Sequence, residues 1–222
     1  KVKLNDISVV DATREYAETK LFGFDFDPDL KKAARMNMVM AGDGHTNIFN
    51  INSLEYPKGA LPDVPKVAEA VNGSIAKSKD KDFPFGTSSD NAQGKFDMIF
   101  TNPPFGSKVE VDPAIAVKYE LQSNAPEVLF IECAYNFLKP GGKLAIVLPD
   151  GILGNPNTVS VRLWILQHFK LLASVDLPVE TFLPQVGVQA SLLFLQKKTS
   201  DEQLVPIEDE DYDVFMHYHL EE

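Results

Sequence analysis

Six short apolar runs, at 21–26, 46–54, 95–101, 143–149, 171–178 and 188–198, recur along the chain. Helix-like or polar stretches separate them, and this alternation predicts an α/β sheet with helices on both faces. The punctuation agrees. Leu21 to Phe26 suits a short buried strand, Asp27 can cap a helix, Pro28 fits its first turn, and Gly42 sits where that helix would end. The run "TNIFNINSL" reads as a second strand ending near Asn52. Residues 57–95, rich in Lys, Asp, Ser, Gly and Pro, read as a surface insertion or flexible loop. Beyond "KFDMIFT", Pro126 marks a helix start, Phe130, Ala134 and Phe137 follow at helical spacing, and Gly141 reads as the stop. A further helix is expected from about Thr158 to Phe169, after the turn "GNPN" at 154–157.

Composition narrows the class. With 222 residues and 44% hydrophobic content, the chain has enough apolar surface for one sizeable core. Cys133 is the single cysteine and reads as a small helix residue facing that core. No apolar run approaches the roughly 18 residues of a membrane span, and no charged-then-apolar leader is visible, so a cytoplasmic location with no membrane partner is expected. The net charge of -11, from 21 basic and 32 acidic residues, is wrong for a domain that grips nucleic acid through phosphates alone. Such binding would need another domain or subunit. His45, His168, His217 and His219 are not grouped with Cys or acids at ligand spacing, so no metal is expected. The segment 199–222 reads as a peripheral acidic extension.

Sheets of this kind place their sites at the carboxyl ends of strands. Three expected strand ends are polar: Asp25, Asn52 and Asn102. Asp25 stands where nucleotide-binding α/β folds use an acid to accept ribose hydroxyls, although an acid before a helix is often only a cap. Asn52 with Ser53 could meet a purine edge, or simply form an Asx turn. The third end is more specific. In "FDMIFTNPPFG", Pro103 and Pro104 fix φ and remove two backbone donors, leaving rigid carbonyl acceptors beside the Asn102 amide. That arrangement accepts hydrogen bonds from an amino group. The lone pair of an amine conjugated to a purine ring is delocalised, and acceptors at Asn102 and the Pro103 carbonyl favour tetrahedral nitrogen in the transition state. Phe105 can stack on the face of the ring. The competing reading is a rigid turn with Phe105 as core filler.

The motif "TNPPFG" after an apolar strand resembles the catalytic motif of adenine-N6 DNA methyltransferases that use S-adenosylmethionine. The stretches "FGFDFDPDLKKAARMNMVMAG", "FIECAYNFLKPGGKLAIVLPDGIL" and "VDLPVETFLPQVGVQASLLFLQKK" are similar to the modification (M) subunit of type I restriction-modification systems. The resemblance implies a Rossmann-like S-adenosylmethionine-dependent methyltransferase fold with a mainly parallel twisted sheet, over a catalytic domain at 1–198. It implies that Asn102, Pro103 and Phe105 hold a flipped adenine of DNA while Pro104 shapes the turn. Asp25 would bind the cofactor ribose, Phe26 would flank its adenine, and Asn52 with Ser53 would contact the adenine edge; Asn102 borders the cofactor as well. The implied partners are a specificity (S) subunit and a restriction (R) subunit.

Two departures stand out. The family usually carries Asp where Asn52 stands, and its first strand with a glycine-rich turn should precede Asp25, yet no glycine precedes Gly23. The chain is therefore expected to be a segment of a longer polypeptide. Two other readings remain at this point: methylation of a protein glutamine amide or an RNA base, whose families more often show Tyr after the two prolines, and a non-catalytic assembly domain with a degenerate cofactor site.

Overall fold

The computed structural model describes residues 7–41, 47–55, 96–105, 111–183 and 187–203. The expected insertion at 57–95, the helix stop at Gly42, His45, and most of the acidic extension with His217 and His219 lie outside the described residues. The chain divides into two compact units, Lys1–Tyr56 with Ala60–Asn91, and Pro57–Gly59 with Ala92–Glu222.

In the first unit, helix α1 (Ile7–Lys20) leads into strand β1 (Gly23–Asp25), helix α2 (Pro28–Ala41) and strand β2 (Ile48–Asn50). The sequence reading did not anticipate α1, whose apolar residues do not form one clear stripe; an Arg14–Glu18 pair at 3.2 Å braces its exposed side. The start of α2 forms as its residues dictate. Asp27 Oδ1 accepts the Asp29 and Leu30 amides, and Pro28 fills the first helical position. β1 and β2 pair in parallel, Gly23 with Ile48 through Asp25 with Asn50. β2 ends at Asn50, two residues before the expected end, because residues Ser53–Glu55 turn into a 3-10 helix behind Asn52.

The second unit holds a four-stranded sheet: β3 (Phe96–Thr101), β4 (Leu138–Pro149), β5 (Phe169–Leu177) and β6 (Ala190–Lys197), in the order β3-β4-β6-β5. β3 and β4 are parallel, while β6 runs antiparallel to both β4 and β5. Three strands thus share one direction and a reversed β6 lies between two of them. The sheet is mixed, with the parallel direction prevailing.

The short helix α3 (Pro113–Ala116) is capped by Asp112, α4 (Pro126–Phe137) and α6 (Val159–His168) form where the sequence pattern places them, and a short helix α5 (Asp150–Gly154) that the sequence reading did not anticipate follows β4. A last short helix, α7, covers Ser200–Gln203. One sheet face packs against α4 and α6. Leu144, Ile146, Leu148, Leu193 and Leu195 meet Val128, Ile131, Ala134, Val161, Trp164 and Ile165 in a single buried cluster. The Leu, Ile and Val side chains each contribute roughly 1.5–3 kcal/mol by leaving water, and together the cluster holds the strand ends in place. Cys133, on the same helix as Val128, Ile131 and Ala134, is buried as expected, 2% exposed, but beside Tyr119 and not in this cluster.

Gly141 does not stop α4. The helix ends four residues earlier, at Phe137, because Lys197 Nζ bonds the carbonyls of Tyr135 (2.8 Å) and Leu138 (2.9 Å) and so satisfies its carboxyl end. Gly141 instead serves an irregularity in β4, where pairing jumps from Phe96–Leu138 to Met98–Lys143. Its φ of 76° is the left-handed conformation that glycine adopts without penalty.

Candidate active site

At the end of β1, Asp25 is half-buried and its Oδ1 accepts the Asp27 amide at 2.7 Å. Capping of α2 falls to Asp27, so Asp25 is not consumed as a helix cap. Phe26, next to it, is 73% exposed. The turn carrying both is clamped from β2. Asn50 Nδ2 donates to the carbonyls of Asp25 (2.9 Å) and Phe26 (2.7 Å). The sequence reading passed over Asn50 and placed the strand end at Asn52. Only the register, Asp25 opposite Asn50, reveals it.

Asn52 is half-buried in an Asx turn: Oδ1 accepts the Leu54 amide at 3.2 Å and Nδ2 donates to Glu55 Oε1 at 3.3 Å. Ser53 begins the 3-10 turn that this bond starts. The local, structural alternative for Asn52 is therefore realised, and its oxygen is already partly used.

In the second unit, β3 ends at Thr101, in register with Ile146, and the chain continues as Asn102, Pro103, Pro104 and Phe105. Burial alternates along it. Asn102 and Pro104 are exposed, Pro103 is buried and Phe105 is half-buried. Pro103 thus anchors the segment, and the Asn102 side chain is exposed. Phe105 contacts Phe182 edge to face, with ring centroids 5.4 Å apart and planes at 88°. Phe182 closes a 3-10 turn (Val179–Phe182) after β5. The sequence reading did not single it out, since 77 positions separate it from Phe105 in "VETFLPQVG" and only the fold joins them.

Downstream of the motif, Tyr119 is buried and Glu132 of α4 accepts the amides of Glu120 (3.0 Å) and Leu121 (3.1 Å). Burial raises the Tyr119 phenol well above its usual range, with the neighbouring Cys133 adding to the effect. These groups anchor the segment after the motif to α4. The structure brings Asp25, Phe26, Asn50 and Asn52 together in the first unit, and Asn102–Phe105 with Phe182 in the second.

The fold and these strand ends define a class, the Rossmann-like methyltransferases. The chain belongs to the N-6 DNA methylase family, whose pattern matches residues 4–219. It is 32% identical over 102 residues to the EcoEI methylase subunit of a type I restriction enzyme from Escherichia coli; that match covers 46% of this chain and 21% of the relative. It is 31% identical over 107 residues to the EcoKI methylase subunit from E. coli K12, covering 47% of this chain and 20% of the relative. The matched region spans about a fifth of the length of these relatives. Among solved structures, it is similar to a modification subunit assigned to a type I restriction enzyme of Vibrio vulnificus YJ016, with a TM-score of 0.61, 20% identity, and coverage of 97% of this chain and 43% of that one. The EcoKI M protein gives a TM-score of 0.58 at 21% identity, over 85% of this chain and 33% of that one.

Proposed function

We propose that this chain is the catalytic part of a DNA methyltransferase that modifies adenine N6, the modification subunit of a type I restriction-modification system. The observation that carries this reading is the segment Asn102-Pro103-Pro104-Phe105, at the carboxyl end of β3 with Asn102 exposed and Phe105 against Phe182. In this reading residues 1–198 make up one catalytic domain.

A flipped adenine would lie against Phe105, with Phe182 as a second aromatic wall. The Asn102 side-chain oxygen and the Pro103 carbonyl would accept its two amino protons, drawing the nitrogen toward tetrahedral geometry and freeing its lone pair for attack. No strong base is needed for that step, because the extra proton is acidic once the fourth bond to nitrogen has formed and passes to water. Pro104 holds the backbone that presents these acceptors.

The first unit fits the nucleoside end of S-adenosylmethionine, which when bound supplies an electrophilic methyl group. Among the described residues Asp25 engages only Oδ1 in its turn, which leaves Oδ2 for ribose hydroxyls, and the exposed ring of Phe26 can cover an adenine. Asn52 and Ser53 would meet the adenine edge. Because Asn52 is uncharged and its oxygen already accepts one bond, its contribution to cofactor affinity is modest.

The acidic balance of the chain leaves phosphate contacts and sequence recognition to a specificity subunit, and a restriction subunit would complete the assembly. A cytoplasmic location accords with this role. Among the described residues no helix is long and apolar enough to cross a membrane.

The test is transfer of labelled methyl groups from S-adenosylmethionine by the full-length polypeptide, paired with its specificity subunit, to unmethylated DNA. Label recovered as N6-methyladenine supports the reading. Label recovered in protein or RNA, and not in DNA, replaces it.

A further inference from the structure

Phe182 reaches Phe105 at the end of a short arm, and three strand ends are tied together at the arm's root. Gln189 stands just before β6. Its side-chain Nε2 donates to Asp176 Oδ1 at 2.6 Å and to the carbonyl of Leu177, the last residue of β5, at 2.9 Å. Its own carbonyl accepts the Asp150 amide at 3.0 Å, at the point where the chain leaves β4. Asp150 Oδ1 in turn accepts the hydroxyl of Ser191 at 2.8 Å, and Ser191, 1% exposed, lies in register with Leu148 and Asp176. From Leu177 the chain passes Pro178, whose carbonyl accepts the Thr181 amide at 2.8 Å, and arrives at Phe182.

We propose that Gln189 is a positioning residue of the base pocket: by joining the ends of β4, β5 and β6 it fixes the root of the arm that sets Phe182 against Phe105. This rests on the functional reading above.

The residue type suits the task. A primary amide of this length donates two protons without adding charge, one to the Asp176 carboxylate and one to the Leu177 carbonyl. Glutamate would bring a second negative charge to Asp176 and could donate nothing. Neither bond belongs to the sheet ladder, since both run from a side chain to the strand that precedes the arm. Loss of both frees the arm at its base, and a wall that moves in several orientations stacks on a base less effectively than one held in place.

The experiment uses the full-length protein with its specificity subunit, unmethylated genomic DNA as methyl acceptor and labelled S-adenosylmethionine as donor. Gln189→Met should raise KM for DNA about tenfold, the scale of one lost aromatic stack, with a smaller fall in kcat and unchanged cofactor affinity by calorimetry. Gln189→Glu alone should be impaired at least as much. The reversed pair, Gln189→Glu with Asp176→Asn, restores one hydrogen bond and should recover part of the KM. A Gln189→Met enzyme with wild-type KM would overturn the proposal, as would an equal loss of cofactor binding or a reversed pair with no recovery. Wild-type protein that transfers no methyl group to DNA would instead remove the functional reading and this inference with it.

Discussion

Phe105 and Phe182 lie edge to face, 5.4 Å between ring centroids, although they leave the first and the last strand in the order β3-β4-β6-β5. Both loops therefore reach over the ends of β4 and β6 to meet.

Phe105→Ala and Phe182→Ala should each lower kcat/KM for DNA by about tenfold, while affinity for S-adenosylmethionine by calorimetry stays as in the wild type. Phe105, on the rigid Asn-Pro-Pro segment, should matter more than Phe182. The reverse ranking would make the arm, not the motif, the main platform.

Glu127 offers a test of the helical layer. It is 8% exposed in the first turn of α4, Oε2 has no hydrogen-bond partner among the described residues, and burial raises its pKa. A carboxyl whose folded pKa exceeds its unfolded value binds more protons when folded. Its stabilising contribution is complete below the unfolded value of about 4.3 and is lost as pH rises through the folded one. Glu127→Gln should therefore stabilise the protein at pH 7 by about 1 kcal/mol, read as a higher urea midpoint, and the gain should vanish near pH 4.

In alkaline solution two buried groups oppose each other. Burial lowers Lys197 to about 8 and pushes Cys133 up to about 12. Between pH 8 and about 10.4 the unfolded chain holds the lysine proton more tightly, so Lys197 makes stability rise with pH; above about 8.5 the folded chain holds the thiol proton, so Cys133 makes it fall. Chemical denaturation from pH 8.5 to 10 should show a steeper decline for Lys197→Met than for the wild type. Cys133→Ala should reverse the slope toward a rise.

Arg162 is fully buried on α6, where Nη1 donates to the carbonyls of Ile152 (3.1 Å) and Asn155 (2.8 Å) and to Thr158 Oγ1 (2.9 Å). It holds the loop that follows β4. Arg162→Ala should cost about 3 kcal/mol by orphaning those acceptors, and Arg162→Lys should recover part of that loss, since all three acceptors meet one nitrogen and an ammonium carries three donors. Equilibrium unfolding of the three proteins gives the ranking.

Much of this was legible in the sequence because it is local. The cap at Asp27, the turn at Asn155, the strand end at Thr101 and the helices α4 and α6 follow from side chains within a few positions of one another. What stayed hidden depends on register or on distant contacts. Asn50 clamps the Asp25–Phe26 turn only because β1 and β2 pair as they do, and Phe182 and Gln189 acquire meaning only when β5 and β6 are set beside β4. Gly141 misled because a glycine after a helical pattern also fits a strand irregularity, and Lys197, 56 residues later, had already closed the helix.

The most direct measurement is methyl transfer to DNA by Asn102→Ala in the full-length protein with the proposed specificity subunit. Loss of one preorganised acceptor should reduce kcat by about 10² to 10³, while thermal stability and binding of S-adenosylmethionine remain as in the wild type. Undiminished turnover would contradict the account, because the exposed amide at the end of β3 is the group on which the proposed chemistry depends.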